Sequence, residues 1–316
     1  MRLIIQRMAL AIGMLSVFLG TVSAAERVPV FVSIAPQKYF VRQIGKDLVD
    51  VQVMVQPGAN PATYEPKPVQ MVDLSKTEIY FAIGVPFENV WLEKIAAANP
   101  DMKVVHTDHG IEKRAMAVHH HNDDSAEEHH ESGHGHEKGE SHEETGHDAE
   151  HRDHAGLDPH IWLSPPLVKI QARAILAALR EIDPSHRPIY EANFNAFAEQ
   201  IDQLDADLKK IFAGKKGSRF MVFHPAWGYF AHTYGLKQTP IEIEGKNPKP
   251  AQLKTLIQNA REKGVKVIFV QPQFSTKSAE VVAREIGGQV AFADPLAEDW
   301  MDNLRDVADK FGSVLK

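Results

Sequence analysis

The chain has 316 residues, of which 43% are hydrophobic and none is cysteine, which excludes disulfides, thiolate metal sites and a lipid-modified N-terminal cysteine. The formal net charge is −7, but residues 119–154 contain 12 acidic residues against Lys138 and Arg152, a local charge of −10 that leaves +3 for the remainder. That remainder is close to neutral and has no basic stripe, so the composition argues against nucleic acid as a partner.

The first 25 residues have the pattern of a secretory signal peptide. Arg2 and Arg7 precede an apolar run over residues 8–22, and Ser23, Ala24 and Ala25 provide small side chains for cleavage. The apolar run is short for a transmembrane anchor, and nothing like a second span follows it. We therefore expect removal of residues 1–25 and a location in the periplasm of a Gram-negative cell.

Strand-like runs alternate with helical segments in two separate parts of the chain. The first group covers residues 28–34, 49–55, 78–83 and 103–106, and the second covers residues 219–223, 239–243, 265–271 and 289–293. Such alternation predicts parallel sheets with helix-covered faces, and its recurrence predicts an α/β fold of two lobes. We place the N-terminal lobe at residues 26–184 and the C-terminal lobe at residues 215–316.

One long helix is predicted between the lobes, over residues 185–214. Its apolar positions recur in steps of three and four, at Tyr190, Phe194, Phe197, Ile201, Leu204, Leu208 and Ile211. This stripe indicates that one face of the helix is buried along its whole length. A coiled-coil dimer would show the same stripe, but we favour a monomer in which the helix packs across both lobes.

Residues 119–154 differ from both lobes in composition. They hold 11 of the 17 histidines, among Asp, Glu, Gly and Ser, and they lack Leu, Ile, Val and Phe. No core forms from this composition, so it predicts a disordered insertion. A solvated acidic loop is one interpretation, but the many imidazoles favour weak collection of transition metal ions. The residues available for that binding are His119, His120, His121, His129, His130, His134, His136, His142, His147, His151 and His154.

Three residues outside that segment are candidate metal ligands. His160 lies in an Asp-Pro-His stretch, His224 follows the run at 219–223, and Asp294 follows the run at 289–293. Ligands of open α/β sheets bind beyond the carboxyl ends of strands, so His224 and Asp294 are expected at a shared crevice. Imidazole with one carboxylate suits Zn²⁺, whereas the harder Mn²⁺ prefers more oxygen. Taken singly, each residue is more often structural than a ligand.

Read together and in order, several stretches resemble the metal-binding substrate-binding proteins of ABC transporters, cluster A-I, and most closely the zinc-type branch. The matching stretches are residues 57–66, 158–165, 223–230, 244–245 and 294–296. The resemblance runs from about residue 28 to residue 316, and members of the zinc-type branch also carry a His-rich loop at this place. It implies two Rossmann-like lobes with parallel sheets, joined by one long rigid helix, with one metal ion between them.

The resemblance also implies what the protein carries and what it works with. Zn²⁺ is the implied transported ligand and Mn²⁺ the less suited one. The implied partners are an ABC permease and its ATPase in the inner membrane. The implied metal ligands are His160, His224 and Asp294.

The loop after the second predicted strand departs from the family pattern. It reads GANPATYEP at residues 58–66, and the family's first ligand, a histidine, corresponds to Ala62. Water, Glu65 or a histidine of residues 119–154 could complete the site instead. The alternatives are a weakened site that serves as a zinc buffer or metal chaperone, and drift of the protein to another ligand.

A zinc-dependent hydrolase is the alternative from another functional class, because three protein ligands plus water is also the pattern of catalytic zinc. The sequence has no His-Glu-x-x-His helix, since the match to that spacing at residues 130–134 falls in the segment predicted to be disordered, and there is no evident general base beside the three positions. We therefore predict a binding protein that is not an enzyme.

Overall fold

The computed structural model describes residues 27–116, 156–243 and 246–315. The predicted signal peptide at 1–25 and the predicted His-rich insertion at 119–154 lie outside the described residues, as do residues 244–245. Within the described ranges, no helix combines the length and the apolar character that crossing a membrane requires.

The first lobe is built on a four-stranded parallel sheet. Its elements are β1 (Val28–Val32), α1 (Ala35–Gly45), β2 (Val49–Val53), α2 (Pro68–Leu74), β3 (Ile79–Ala82), α3 (Glu88–Ala98), β4 (Lys103–His106) and α4 (Pro165–Ile182). The strand order is β2-β1-β3-β4, with every neighbouring pair parallel. All four residues of β3 are buried, as expected for an inner strand covered on both faces.

The second lobe repeats this arrangement. Its elements are β5 (Arg219–Val222), α6 (Gly228–Thr233), β6 (Lys237–Pro240), α7 (Pro250–Glu262), β7 (Val267–Val270), α8 (Lys277–Ile286), β8 (Gln289–Phe292) and α9 (Trp300–Val314). The strand order is β6-β5-β7-β8, again parallel throughout. The predicted α/β fold with two parallel sheets is confirmed.

One predicted strand is displaced. The run at 239–243 was expected to pair, but β6 spans Lys237–Pro240. As an edge strand of partly exposed residues, β6 has a weaker apolar signal than the buried Ile241 that follows it. The backbone N–H groups of Ile241 and Glu242 both donate to the carbonyl of Phe223, so the chain continues beside the end of β5. This continuation places Glu242 at the end of β5.

The helix that connects the lobes is α5 (Arg187–Ile211), 25 residues long. Five residues of its predicted stripe are buried, namely Tyr190, Phe197, Ile201, Leu204 and Leu208. The helix packs against α1 and α4 of the first lobe and against α9 of the second. The stripe is therefore buried within the chain, as the intramolecular interpretation predicted.

The two lobes share a hydrophobic core. The ring of Trp300 in α9 packs edge-on against Phe40 in α1, with centroids 5.1 Å apart. The indole N–H of Trp300 donates to the carbonyl of Trp162 at 2.7 Å, and the indole N–H of Trp162 donates to the carbonyl of Pro295 at 2.6 Å. Buried tryptophans with satisfied N–H groups hold the lobes at a defined spacing.

Candidate metal centre

The loop after β2 is held in shape by the side chain of Asn60 and by Phe87, the residue before α3. The side-chain oxygen of Asn60 accepts the N–H of Ala62 at 2.9 Å, and the carbonyl of Pro61 accepts the N–H of Phe87 at 3.1 Å. Gly58 has a φ of 79°, which side-chain-bearing residues rarely adopt. These contacts set the backbone of the loop.

A pocket between the lobes is lined by residues from both of them. The wall from the first lobe contains Asn60, Pro61, Ala62, Val85, Pro86, Met116, Pro159, His160 and Trp162, and the wall from the second contains His224, Gln273, Phe274, Pro295 and Leu296. Ala62 thus lies where the resemblance places a ligand, and it presents only a methyl group. Neither Lys nor Arg occurs among the described lining residues, so no side-chain charge there repels a cation.

His160 precedes the short 3-10 segment Ile161–Leu163. Its Nδ1 lies 2.6 Å from Oδ1 of Asp158, which also accepts the backbone N–H of His160 at 2.9 Å. A carboxylate only accepts, so this contact places the proton on Nδ1 and leaves the lone pair on Nε2 for a metal. Burial lowers the pKa of His160, although the negative charge of Asp158 acts in the opposite direction. The ring is therefore neutral near pH 7.

His224 is held in the same way at the turn after β5. Its Nδ1 lies 2.6 Å from Oε1 of Glu242, a residue that is only 6% exposed. The side-chain amide of Gln271 makes two hydrogen bonds with the backbone of His224. Its oxygen accepts the N–H of His224 at 3.3 Å, and its nitrogen donates to the carbonyl of His224 at 2.7 Å. The second oxygen of Glu242 has no hydrogen-bond partner within the part of the chain that the structure describes. A buried carboxylate thus lies behind each imidazole.

The two imidazole rings lie close enough to share one ion. Their centroids are 5.3 Å apart, and the planes are inclined at 66°. Zn–N bonds of about 2.0 to 2.1 Å would place two imidazoles of one tetrahedral site at about this spacing. The structure therefore brings His160 and His224 together, although they are distant in sequence and belong to different lobes.

Asp294 follows β8, and its carboxylate is hydrogen-bonded to residues other than these two histidines. Its Oδ1 accepts the side-chain N–H of Gln273 at 2.9 Å and the backbone N–H of Leu296 at 2.9 Å. Asp294 itself does not line the described pocket, although its neighbours Pro295 and Leu296 do. Across residues 27–116, 156–243 and 246–315, no group of three or more His, Asp or Glu side chains is arranged to hold a metal ion. A ligand role for Asp294 stays a prediction.

Of the remaining candidates, the structure describes Glu65 alone. Glu65 is exposed and is not part of the lining, and the histidines of residues 119–154 lie outside the described residues. Sequence reasoning missed two polar residues of this site, Glu242 and Gln273. Both follow strand ends, β6 and β7 respectively, so the rule that site residues follow parallel strands could have found them.

Comparisons with known proteins show the family to which the chain is similar. The family model described as "Zinc-uptake complex component A periplasmic" (ZnuA) matches residues 30–313. The chain is 29% identical to the high-affinity zinc uptake system protein ZnuA of Bacillus subtilis (strain 168) over 276 residues, which is 87% of this chain and 80% of that protein. It is 26% identical to the zinc-binding protein AdcA of Streptococcus pyogenes serotype M3 (strain MGAS315) over 303 residues, 92% of this chain and 56% of that protein.

Solved structures give the same picture. A crystal structure of ZnuA superposes with a TM-score of 0.78 at 41% identity, covering 92% of this chain and 99% of that one. A 138-173 deletion mutant of ZnuA with zinc bound matches with the same TM-score, identity and coverage.

Proposed function

This chain belongs to the ZnuA family of periplasmic zinc-uptake components, and from that premise we propose that it captures Zn²⁺ between its lobes and delivers it to an ABC permease. It is a substrate-binding protein of a transport system and not an enzyme. Zinc is its cargo, held and released without chemical change.

The observation that carries this proposal is the pair of imidazoles with buried carboxylates behind them. Asp158 is 2% exposed and Glu242 is 6% exposed, and each touches the Nδ1 of a histidine that lines the pocket. Buried negative charge is costly unless a cation compensates it. An ion bound at the two Nε2 atoms would supply that compensation. Nitrogen ligands favour Zn²⁺ over Mn²⁺, which remains the less suited cargo.

We propose His160, His224 and Asp294 as protein ligands of the ion. Among the described residues, both hydrogen bonds of the Asp294 carboxylate fall on Oδ1, which leaves Oδ2 for a metal. Glu65 and the histidines of residues 119–154 are supplementary ligands at most, because the pocket contains two histidines without them. The His-rich segment is proposed to hold further zinc ions weakly.

Stoichiometric zinc titration of residues 26–316, with and without residues 119–154, tests this assignment. We expect the deletion to remove the weak sites and to leave one tight site. His224→Ala should abolish that tight site, while His232→Ala, an exposed histidine of α6, serves as the matched control. Loss of all tight binding on deletion of 119–154 would show that the pocket between the lobes does not hold zinc by itself.

The finer assignments of place and partner follow from the signal pattern and the family. We propose the periplasm as the compartment, an inner-membrane ABC permease with its ATPase as the partners, and a monomer as the working form. Cell fractionation and light scattering test the first and the last. Zinc-limited growth of a strain lacking this protein tests the transport role, because growth must depend on both the protein and the permease.

A weakened site that serves as a zinc buffer or metal chaperone is the second candidate function. The observation in its favour is Ala62, which leaves the first-lobe loop without a ligand side chain. Such a protein would bind zinc far more weakly than its ZnuA relatives, and zinc-limited growth would not depend on it. Tight zinc binding, together with zinc-limited growth that depends on this protein, would contradict a buffer function.

A further inference from the structure

We propose that Gln273 supplies the ligand that Ala62 lacks, with its carboxamide oxygen Oε1 directed to the ion between His160 and His224. This inference rests on the proposed zinc-binding function of the pocket. It adds a third neutral ligand to the two histidines. It also means that the carboxylate of Asp294 orients Gln273 as well as binding the ion.

The orientation of the Gln273 amide is set by its neighbour. Its Nε2 lies 2.9 Å from Oδ1 of Asp294. A carboxylate accepts and does not donate, so the nitrogen of the amide must face Asp294 and the oxygen must face away from it. Gln273 lines the same pocket as His160 and His224.

The amide oxygen of Gln273 lacks a partner. It is buried, and the described part of the chain offers it no hydrogen-bond donor. Buried polar atoms are almost always satisfied, and those that are not call for a missing water or ion. A bound cation would satisfy this oxygen, and the described lining of the pocket includes neither Lys nor Arg to repel that cation.

The fold holds Gln273 next to His224. Strands β5 and β7 are neighbours in the sheet, so the turns that follow them lie side by side. His224 follows β5, and Gln273 follows β7. Phe274 stacks on the ring of His224 with centroids 4.9 Å apart, which ties the Gln273 turn to that imidazole.

The pocket then repeats one arrangement three times. Asp158 stands behind His160, Glu242 behind His224 and Asp294 behind Gln273, each carboxylate accepting from the N–H of a neutral side chain. A carboxylate behind a neutral ligand fixes its orientation and makes the donor atom more basic. Asp294 thereby orients Gln273 through Oδ1 while keeping Oδ2 for the ion.

The test uses the full mature chain with a competing chelator that removes weakly held ions. Gln273→Met keeps the length of the side chain and removes the oxygen, and we expect its zinc affinity to fall at least tenfold at unchanged stoichiometry. The visible absorption of bound Co²⁺ should change as well, because it reports the number and type of ligands. Gln52→Met, at an exposed position of β2, is the matched control and should change neither quantity.

A second variant separates loss of the ligand from loss of the fold. Gln273→Asn keeps the amide but shortens it by one methylene, so it should fold with the thermal midpoint of the metal-free parent and still bind zinc more weakly. Parental affinity and Co²⁺ absorption in both Gln273 variants would overturn this inference and leave the proposed function standing. A parent protein that takes up no tightly bound zinc would overturn the proposed function instead.

Discussion

The carboxylates of Asp158 and Glu242 act on a bound ion through the histidines that they touch. Each accepts the Nδ1 proton of its histidine at 2.6 Å and so selects the tautomer whose Nε2 can bind metal. Both carboxylates are buried, so water does not compete for these contacts. The strength of the site therefore depends on residues that need not touch the ion.

Glu242→Gln tests that dependence. The amide no longer carries the charge that supports His224, and we expect the zinc affinity to fall about 10- to 100-fold, the usual effect of such substitutions. Chelator competition measures the affinity, and Glu285→Gln, at an exposed glutamate of α8, is the control. Parental affinity in Glu242→Gln would mean that the carboxylate serves the fold and not the ion.

Ala62→His places an imidazole at the position where the family resemblance implies one. The loop backbone is already set, so we expect the substitution to recover at least tenfold in zinc affinity, about 1.4 kcal/mol, in the Gln273→Met background. The gain in the parental background should be smaller, because Gln273 already occupies a coordination position there. Equal gains in the two backgrounds would show that the two side chains act independently.

At the scale of single elements, the carboxylate of Asp183 receives three side-chain contacts at the entry to α5. Asp183 accepts the hydroxyl of Ser185 at 2.6 Å, the hydroxyl of Tyr190 at 2.7 Å and a contact from Nδ1 of His186 at 2.6 Å. Burial alone would raise the pKa of Asp183, but these hydrogen bonds outweigh it and lower the pKa. One carboxylate thus anchors the first turn of the helix that joins the lobes.

Asp183→Ala should destabilise the protein at pH 7 by about 1 to 3 kcal/mol, since several hydrogen bonds to a charged group are lost together. Denaturant unfolding measures this loss of stability. The control is Asp202→Ala, which removes an exposed ion pair between Asp202 of α5 and Lys169 of α4 and should cost about 0 to 1 kcal/mol. Because the pKa of Asp183 is lowered in the folded state, its ionised carboxylate stabilises the protein at pH values above the pKa of an unfolded aspartate, about 3.9. This stabilisation is lost as the pH falls further and the carboxylate is protonated. The difference between parent and Asp183→Ala should therefore shrink as the pH falls below about 4, and a difference that does not vary with pH would contradict this account.

At the scale of the whole molecule, the lobes are tied by more than one helix. Trp162 and Trp300 bridge the lobes through buried hydrogen bonds, and the hydroxyl of Tyr229 donates to the carbonyl of Asp158 at 3.0 Å. Closing the lobes like a hinge would break these contacts and the packing of α5 together. Zinc exchange is therefore expected to involve the loops around the pocket more than the angle between the lobes.

Small-angle scattering of the protein lacking residues 119–154, with and without zinc, tests this rigidity. We expect the radius of gyration to change by less than about an ångström, because hinge closure would compact the molecule by more. The parent chain with residues 119–154 retained is a poorer probe, since that segment adds its own contribution to the scattering. A larger contraction on zinc loading would refute the rigid connection.

The sequence alone determined the architecture and the two histidines. These features depend on residues that are close together in the sequence, so the sequence alone can predict them. They are the alternating strand and helix patterns, the stripe from Tyr190 to Ile211 and the position of His224 after β5. Tertiary structure decided what surrounds those histidines. Glu242 meets His224 across 18 residues, and Asp294 meets Gln273 across 21, because parallel strands bring separate turns to one edge of a sheet. The side chains that face each other depend on strand order, register and packing. No single local sequence pattern determines these three features.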